Sequence, residues 1–302
     1  MSMTLKIGKW MALLRANFLV LTLVTVAAGF AAAFYDRHVF NAATGFLALI
    51  GATLTHVAVN VFNNYFDFRS GIDEKTSKTS FSGGIEVLVK GEIKPSTAFF
   101  LAFSCLIGAG IIGVYFLTLF FWPLLPVLIY GAISIYFYTP YLSHIPGVGE
   151  IIAGTNFGLM SVGAYITQVG FVTPTALAVF VPVSLLVYLL LFLNEFPDVE
   201  VDRRAGRRHL VILLGRRHAA RLYSLLLVVT YLSIATFVFV GLMPMTSLLA
   251  LATCPLAYRA ASVALRNCED PNALVPALAS NVLVVLFTIG LTAAGHLIGS
   301  LL

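Results

Sequence analysis

Charged residues are scarce in this sequence. Of its 302 residues only 10% are Asp, Glu, Lys or Arg, whereas 60% are hydrophobic, and the mean hydropathy is +0.97. A soluble domain carries about 25% charged residues. The composition therefore excludes a soluble globular protein. It predicts an integral membrane protein in which residues 1–302 form a single domain.

Cysteine is also rare. Neither the cysteines nor the net charge indicates a disulfide-rich, zinc-binding or nucleic-acid-binding protein. Cys105, Cys254 and Cys268 show no Cys-x-x-Cys spacing, so the sequence supports neither a disulfide framework nor a zinc site. The net charge of +5 does not indicate nucleic-acid binding, because the basic residues flank apolar runs. The apolar stretch after Arg15 is too long for the core of a cleavable signal peptide.

Long apolar runs make up most of the sequence. A membrane-spanning helix needs about 20 apolar residues, and nine runs qualify. They are residues 14–35, 43–66, 97–118, 120–139, 149–170, 174–195, 219–241, 243–262 and 275–300. The expected fold is all-α: a polytopic membrane protein with nine transmembrane helices around a central apolar chamber.

The basic residues predict the orientation of these spans. If nine spans alternate across the membrane, every Lys and Arg except Arg37 lies on one side. The positive-inside rule makes that side cytoplasmic. We therefore expect a cell-membrane protein with a cytoplasmic N-terminus and the C-terminus on the opposite side. The long polar loops 67–96 and 198–218 lie on the cytoplasmic side and are expected to form the active site.

Two polar stretches, residues 60–73 and 194–208, end the second and sixth spans. Each begins with Asn, continues with two Asp and ends in a basic loop. Acidic residues at membrane depth are costly, and their presence indicates function. Because four spans separate the stretches, we expect two four-helix repeats plus one further helix, with spans two and six facing each other.

In the first stretch, Asn60, Asn64 and Asp67 have helical i, i+4, i+7 spacing and share one face. Gly71 is expected to turn the chain so that Asp73 folds back towards Asp67. The stretch therefore predicts one pair of neighbouring carboxylates.

In the second stretch, Asn194, Asp198 and Asp202 follow at i, i+4, i+8 and are expected to share a face. Pro197 lacks an amide hydrogen, so it should kink or break span six. Two carboxylate pairs at one cavity mouth need a cation between them, and hard oxygen ligands favour Mg²⁺ or Mn²⁺. The nearby bases could hold the outer oxygens of a lipid diphosphate; they are Arg69, Lys90, Arg207 and Arg208.

At these residues the sequence resembles the UbiA superfamily of intramembrane prenyltransferases, over essentially the whole chain. The family's first motif, Asn-Asp-x-x-Asp with a later Asp, corresponds to Asn63-Asn64-x-x-Asp67; its second, Asp-x-x-x-Asp, corresponds to Asp198 to Asp202. The runs Gly71-Ile72-Asp73 and Ala205-Gly206-Arg207-Arg208 resemble the menaquinone branch. Asn64 departs from the Asp of many members, which leaves Asp67 and Asp73 as ligands of the first cluster.

The resemblance implies Mg²⁺-dependent transfer of a prenyl group from a polyprenyl diphosphate to an aromatic quinone precursor, with release of diphosphate. A dihydroxynaphthoate is the expected acceptor, and geranylgeranylglyceryl phosphate or 4-hydroxybenzoate are the alternatives. The expected catalytic residues are Asn63, Asp67, Asp198 and Asp202, and the expected metal ligands are Asp67, Asp73, Asp198 and Asp202. The expected substrate-binding residues are Asn60, Asn64, Arg69, Lys90, Tyr138, Asn194 and Arg208.

Simpler explanations exist for several of these residues. The bases could merely follow the positive-inside rule, and the asparagines could bond neighbouring helices. Glu150, among glycines that permit close packing, either faces the acceptor or makes a polar contact near the membrane surface. Glu195 and Glu200 are expected to be solvated or ion-paired.

Two other classes of protein remain as alternatives. An ion-coupled transporter would explain acids in membrane spans, but here they cluster at one end of the spans and only that end carries long polar loops. A CDP-alcohol phosphotransferase would need an Asp-Gly-x-x-Ala-Arg signature, which the sequence lacks.

Overall fold

The fold is all-α, as the sequence predicts. The computed structural model describes residues 3–71 and 86–302, and within those ranges every regular element is a helix. Twelve α-helices are described: α1 Met3–Leu13, α2 Leu19–Arg37, α3 Ala42–Ser70, α4 Glu86–Val89, α5 Pro95–Phe137, α6 Val148–Val169, α7 Pro174–Asn194, α8 Val199–Arg204, α9 Leu210–Leu214, α10 Arg216–Phe239, α11 Cys254–Asn267 and α12 Pro271–Gly299. Three 3₁₀ segments accompany them: Ala16–Phe18, Leu142–His144 and Met245–Thr253.

Seven helical segments in the described residues are long and apolar enough to cross a membrane. They are Ala16–Arg37, α3, α5, α7, α10, Met245–Asn267 and α12. Helix α5 has 43 residues, about 65 Å if straight, which is twice the roughly 30 Å hydrocarbon core. Its backbone leaves helical geometry at Phe120, where the sequence separates two predicted spans.

Nine spans are expected, and seven segments in the described part of the chain qualify. Helix α5 can account for one of the two missing spans, and α6 for the other. Helix α6 has 22 residues, which is enough for a span, and it lies where the sequence predicts the fifth one. It carries Glu150, Asn156 and four glycines, so it is less apolar than the seven segments counted above. The number nine therefore stays a prediction.

The ends of the motif-bearing helices have local causes. The side chain of Asn41 accepts hydrogen bonds from the amides of Ala43 and Thr44 and caps the start of α3. Gly71 ends α3 in the left-handed conformation, with φ 72°, which glycine adopts at little cost. Because α3 continues to Ser70, Asp67 lies in its last turn and not in a loop.

The second motif is broken as Pro197 predicts, and this corrects one sequence inference. Helix α7 ends at Asn194, a turn follows, and α8 starts only at Val199. A common helical face for Asn194, Asp198 and Asp202 is therefore wrong, because the i, i+4, i+8 rule holds only within one uninterrupted helix. The expected loop 198–218 also contains α8 and α9, and α10 begins at Arg216.

Helices α2 and α6 pack against both motif-bearing helices, α3 and α7. The contacts of α6 are close because glycine leaves room for a neighbouring backbone. A Cβ atom at Gly154 would lie 2.4 Å from the carbonyl oxygen of Ser184 in α7, and one at Gly29 in α2 would lie 2.1 Å from that of Ser161 in α6. Glycine at these positions thus fixes where α6 lies.

The outer surface is apolar, as a lipid-facing surface should be. Phe100, Ile111, Trp122 and Phe239 are each at least two-thirds exposed. Large apolar side chains exposed in such numbers mark a surface that another apolar phase covers. Together with the apolar helices, they identify an integral membrane protein.

Gly154 provides a test of the α6–α7 contact. We expect Gly154→Ala to lower the free energy of unfolding by about 1–3 kcal/mol, because the new methyl group would overlap the Ser184 backbone. The matched control is Gly163→Ala on the same helix, whose Cβ would meet only Val127 at an ordinary 3.9 Å. Thermal unfolding in detergent measures both variants, and equal melting temperatures would contradict the packing described here.

Candidate active site

A single guanidinium group joins the two acidic motifs. Arg207 donates a hydrogen bond from Nη2 to Oδ1 of Asp67, at the end of α3. Its Nη1 donates to Oδ1 of Asp202 in α8, at 3.2 Å. As whole residues, Asp67 and Asp202 are 7% and 5% exposed, so both carboxylates are shielded from water. The structure thus brings together one acid from each motif, as the sequence predicts, and places a cation between them.

The electrostatics of Arg207 follow from this position. Burial disfavours the charged form and acts to lower the pKa of Arg207, but the carboxylates of Asp67 and Asp202 outweigh burial and raise it. The guanidinium therefore stays charged. Sequence analysis assigned Arg207 to an outer phosphate oxygen, whereas here it binds the motif carboxylates themselves.

Arg15 is a second basic residue of the site, and the sequence analysis missed this role. Its guanidinium donates to the side-chain oxygens of Asn63, at 2.7 Å, and of Asn64, at 2.7 and 3.1 Å. Arg15 has φ 49°, a left-handed conformation that is uncommon outside glycine. It lies at the junction between α1 and the first span. The signal in the sequence was an arginine at the start of an apolar run. The positive-inside rule already explains such an arginine, so its role in the site was not predicted.

The three asparagines of the first motif mainly connect it to the N-terminal segment. Asn60 donates to the carbonyl oxygen of Leu14 at 3.1 Å, and Asn64 donates to that of Leu13 at 2.9 Å. Asn63 also donates to the hydroxyl of Thr139, at 3.3 Å, just beyond α5. In this structure their amide groups hold the site together.

Behind Asp202 lies a further group of polar side chains. Nε2 of His209 is 3.3 Å from Oδ2 of Asp202, and its Nδ1 is 3.5 Å from Oε2 of Glu195. Glu195 lies near enough to Glu150 for the two carboxyl groups to interact electrostatically. Glu150 is 1% exposed, and its Oε1 accepts a hydrogen bond from the amide of Leu210 at 2.8 Å. Of the two expectations for Glu195, solvation is wrong, because its side chain is only 12% exposed, whereas pairing with a basic side chain fits its 3.5 Å contact with His209.

A cavity of about 410 Å³ opens beside the Asp67–Arg207 contact. His144 lies on its wall, and the pKa of this imidazole is lowered by partial burial and next by Arg207, against the opposing carboxylates of Asp67 and Asp202. The remaining lining residues are Tyr65, Phe66, Arg69, Ser70, Thr139, Pro140 and Ala205. Arg69 thus lies where a substrate phosphate could meet it.

Other expected site residues lie at varying distances from this centre. Lys90 is exposed and forms an ion pair with Glu86, away from the cavity wall. Arg208 is exposed to solvent. Tyr138 ends α5 and interacts electrostatically with Arg207. Three more complete the set: Asp198 precedes α8 and is partly buried, Asn194 ends α7 with its side-chain oxygen buried and lacking a hydrogen-bond partner, and Asp73 lies outside the described residues.

The donor chemistry of the site suits a divalent metal ion. Asp67 and Asp202 are hard oxygen donors that converge on one positive charge, Arg207, and they are shielded from water. Among the described residues, no group of three or more His, Cys, Asp or Glu side chains is arranged to hold a metal. Mg²⁺ commonly takes one or two carboxylates and completes its shell with water and substrate phosphate. Two converging carboxylates beside a cavity meet that requirement.

These features define the class of protein: a helical membrane protein with a buried acid–arginine centre and a cavity where the motif-bearing helices end. The chain belongs to the UbiA prenyltransferase family, whose model matches residues 22–283. It is therefore a prenyltransferase, and the family resemblance seen in the sequence is confirmed.

Individual relatives agree with this assignment. A 1,4-dihydroxy-2-naphthoate octaprenyltransferase of Escherichia coli (strain K12) is 29% identical over 287 residues, covering 92% of each chain. One of Bacillus subtilis (strain 168) is 29% identical over 200 residues, which are 65% of this chain and 63% of that relative. The fold is similar to that of a UbiA homolog from Archaeoglobus fulgidus bound to DMAPP and Mg²⁺, with a TM-score of 0.63, 16% identity, and coverage of 94% of this chain and 99% of that one.

Removal of Arg207 tests the shared cation. Arg207→Ala leaves two buried carboxylates facing each other, so we expect a loss of about 3–5 kcal/mol in the free energy of unfolding without metal. Added Mg²⁺ should restore part of that loss, because it can take the place of the missing positive charge. Thermal unfolding with EDTA and with Mg²⁺ measures both effects.

Arg204→Ala is the matched control, since it removes one positive charge from an exposed position in the same segment. It should leave the melting temperature nearly unchanged. If the two variants melt alike, or if Mg²⁺ has no effect on Arg207→Ala, Asp67 and Asp202 do not depend on a shared cation.

Proposed function

We propose that this protein transfers a prenyl group from a polyprenyl diphosphate to an aromatic quinone precursor of the dihydroxynaphthoate type, releasing diphosphate. The observation that supports this most directly is the convergence of Asp67 and Asp202 on Arg207 beside an open cavity. A diphosphate head group needs concentrated positive charge and a metal site, and its tail needs an apolar environment among helices. The site and the apolar bundle offer both.

Residues of both motifs would hold the metal. Among the described residues, Asp67 and Asp202 are the proposed ligands, and Asp198 lies one helical turn before Asp202. Asp73, outside the described residues, is the expected fourth carboxylate. When bound there, Mg²⁺, or Mn²⁺ in its place, supplies positive charge that stabilises the developing charge on a leaving diphosphate.

The chain's own bases would complete the binding of the diphosphate. Arg69 lines the cavity and can donate to phosphate oxygens. Arg207 can also donate to them while it stays on the carboxylates, because its hydrogen bonds to Asp67 and Asp202 use two of its five N–H donors. Lys90 and Arg208 are exposed in the structure, so their assignment to the substrate requires movement of their side chains. Asn63, bonded to Arg15, keeps that arginine next to the first motif.

Aromatic side chains would protect the allylic cation that forms when the diphosphate leaves. Tyr65 and Phe66 line the cavity next to Asp67, and the faces of aromatic rings attract a cation. Tyr138 stands near Arg207 and would approach the substrate from the α5 side. The electron-rich ring of the acceptor then attacks the cation, and loss of CO₂ from the attacked carbon of the dihydroxynaphthoate returns the bonding electrons to the ring and restores its aromaticity.

The choice of acceptor rests on relatives and motif details. The relatives from E. coli and B. subtilis are named for 1,4-dihydroxy-2-naphthoate, and the residues around Gly71 and Gly206 resemble the same menaquinone branch. We therefore propose a role in menaquinone biosynthesis. Geranylgeranylglyceryl phosphate and 4-hydroxybenzoate remain the alternative acceptors.

The proposed topology has nine spans in one domain of the cell membrane, with the active site on the cytoplasmic side. Two observations support nine: α5 is long enough for two spans and leaves helical geometry at Phe120, and α6 is long enough for one. The distribution of basic residues supports the cytoplasmic side, since only Arg37 lies on the other. We retain two four-helix repeats plus one helix as part of this proposal.

The proposed reaction can be tested with purified protein in detergent, Mg²⁺ and labelled geranylgeranyl diphosphate. Separate reactions would contain dihydroxynaphthoate, 4-hydroxybenzoate or geranylgeranylglyceryl phosphate. We expect labelled product with dihydroxynaphthoate, and none in EDTA. Asp202→Asn should lower turnover by about 10²–10³-fold, because it removes a charge that acts at the reacting group.

Glu200→Gln is the matched control, because Glu200 is an exposed acid on the same short helix as Asp202. It should retain nearly full turnover. Product with a different acceptor would overturn the menaquinone assignment alone. If folded protein neither turns over nor binds the diphosphate in the presence of Mg²⁺, the proposed reaction fails.

A further inference from the structure

A continuous set of buried side chains connects the second motif to α6. It runs from Asp202 through His209 and Glu195 to Glu150, and we call these last three residues the α6 link. Side-chain exposures along it are 8% for Asp202, 5% for His209 and 12% for Glu195. Glu150 is 1% exposed as a whole residue. None of the three linking residues belongs to the Asp-x-x-x-Asp pattern of Asp198 and Asp202.

Glu150 also holds the backbone that follows the second motif. Its Oε1 accepts from the amide of Leu210, the first residue of α9. An amide at a helix start has no partner within its own helix. Glu150 therefore fixes the segment between Asp202 and α9 at two places: at Leu210 directly, and at Asp202 through Glu195 and His209.

The link carries unsatisfied polar atoms, which distinguishes it from an ordinary buried hydrogen-bond network. Oε2 of Glu150, Oε2 of Glu195 and both ring nitrogens of His209 are buried without a hydrogen bond of good geometry, even though their partners lie close by. A partly satisfied buried network costs stability relative to an apolar core. A purely structural joint between α6 and the second motif would be more stable with apolar side chains.

An ordinary explanation exists for Glu150 alone. It lies in the first turn of α6, where a negative side chain is favoured by the helix dipole. That explanation does not require burial, nor a bond to α9, nor a second buried acid beside it. Glu150 instead contacts the segment that follows Asp202, the proposed metal ligand.

We propose that Glu150 is a positioning residue for the second motif: through the Leu210 amide and the Glu195–His209 contact, it sets the place of Asp202 relative to Asp67. This rests on the proposed function, because Asp202 matters in this way only if it binds a metal–diphosphate. Helix α6 is a firm base for this role, since Gly154 and Gly158 seat it tightly against α7. Displacement of Asp202 should therefore weaken metal binding while leaving the fold intact.

Two substitutions of Glu150 separate positioning from simple stability. Glu150→Leu removes both contacts. Glu150→Gln keeps a carbonyl oxygen for the Leu210 amide and adds a neutral N–H donor next to Glu195. Supporting partners of metal ligands typically change metal affinity or activity by 10–100-fold. We expect Glu150→Leu to raise the Mg²⁺ concentration for half-maximal turnover by about tenfold or more, and Glu150→Gln to stay near the wild type.

A binding measurement supplies a readout that does not depend on turnover. The melting temperature of each protein would be recorded against Mg²⁺ concentration with inorganic pyrophosphate present. The Mg²⁺ needed for half of the maximal stabilisation should rise for Glu150→Leu by the same factor as in the turnover assay. His209→Leu interrupts the link at its other end and should shift both curves in the same direction, which keeps the test decisive if Glu150→Leu folds poorly.

Asp36→Asn is the matched control. Asp36 is an acid at the opposite end of the bundle, where Tyr165 and Thr173 donate hydrogen bonds to its Oδ2. Its replacement should lower the melting temperature but leave the Mg²⁺ dependence unchanged.

The outcomes distinguish this inference from the proposed function. An unchanged Mg²⁺ dependence in Glu150→Leu and His209→Leu would overturn the positioning role, as would an equal shift in Asp36→Asn or a Glu150→Gln variant as impaired as Glu150→Leu. A wild-type protein without prenyl transfer would overturn the proposed function, and the melting curves with pyrophosphate would still decide the role of Glu150. A wild-type protein that Mg²⁺ and pyrophosphate do not stabilise would overturn both.

Discussion

Two carboxylates that are almost removed from water can both stay ionised in a small space only if positive charge lies between them. In this protein Arg207 meets that requirement for Asp67 and Asp202. The ends of α3 and α8 must therefore lie side by side, although the chain between them forms most of the bundle. The cavity, with Arg69 on its wall, opens beside that junction, and the α6 link lies behind Asp202.

Part of this site could be predicted from sequence because the responsible signals are local. Acids at the ends of apolar runs, a helical period in residues 60–67 and a proline at 197 are readable without knowledge of the fold. They correctly indicate that Asp67 and Asp202 lie close together and that α7 is interrupted. The prediction that residues 194, 198 and 202 share a face is wrong, because the break after residue 194 leaves no continuous helical period.

The rest depends on tertiary contacts, which no local pattern encodes. The position of Arg15 rests on a left-handed backbone conformation and on two asparagines almost fifty residues later. Glu195 resembles a surface acid in the sequence but turns inwards to Glu150, because the break in α7 reorients the chain around Pro197. Among many arginines in one polar stretch, only the fold separates Arg207, which binds the acids, from Arg208, which faces solvent.

The distance along the chain between Asp67 and Arg207 also has a consequence for biosynthesis. The two residues are 140 positions apart. At about 5–20 residues per second, a ribosome needs roughly 7–28 s to reach Arg207 after it has added Asp67. During that interval α3 is complete while its buried acid still lacks the later arginine. Arg15, which is made earlier and acts electrostatically on Asp67, is the positive charge at hand. Of the two arginines that act electrostatically on Asp67, only Arg15 is therefore present in the chain during that interval.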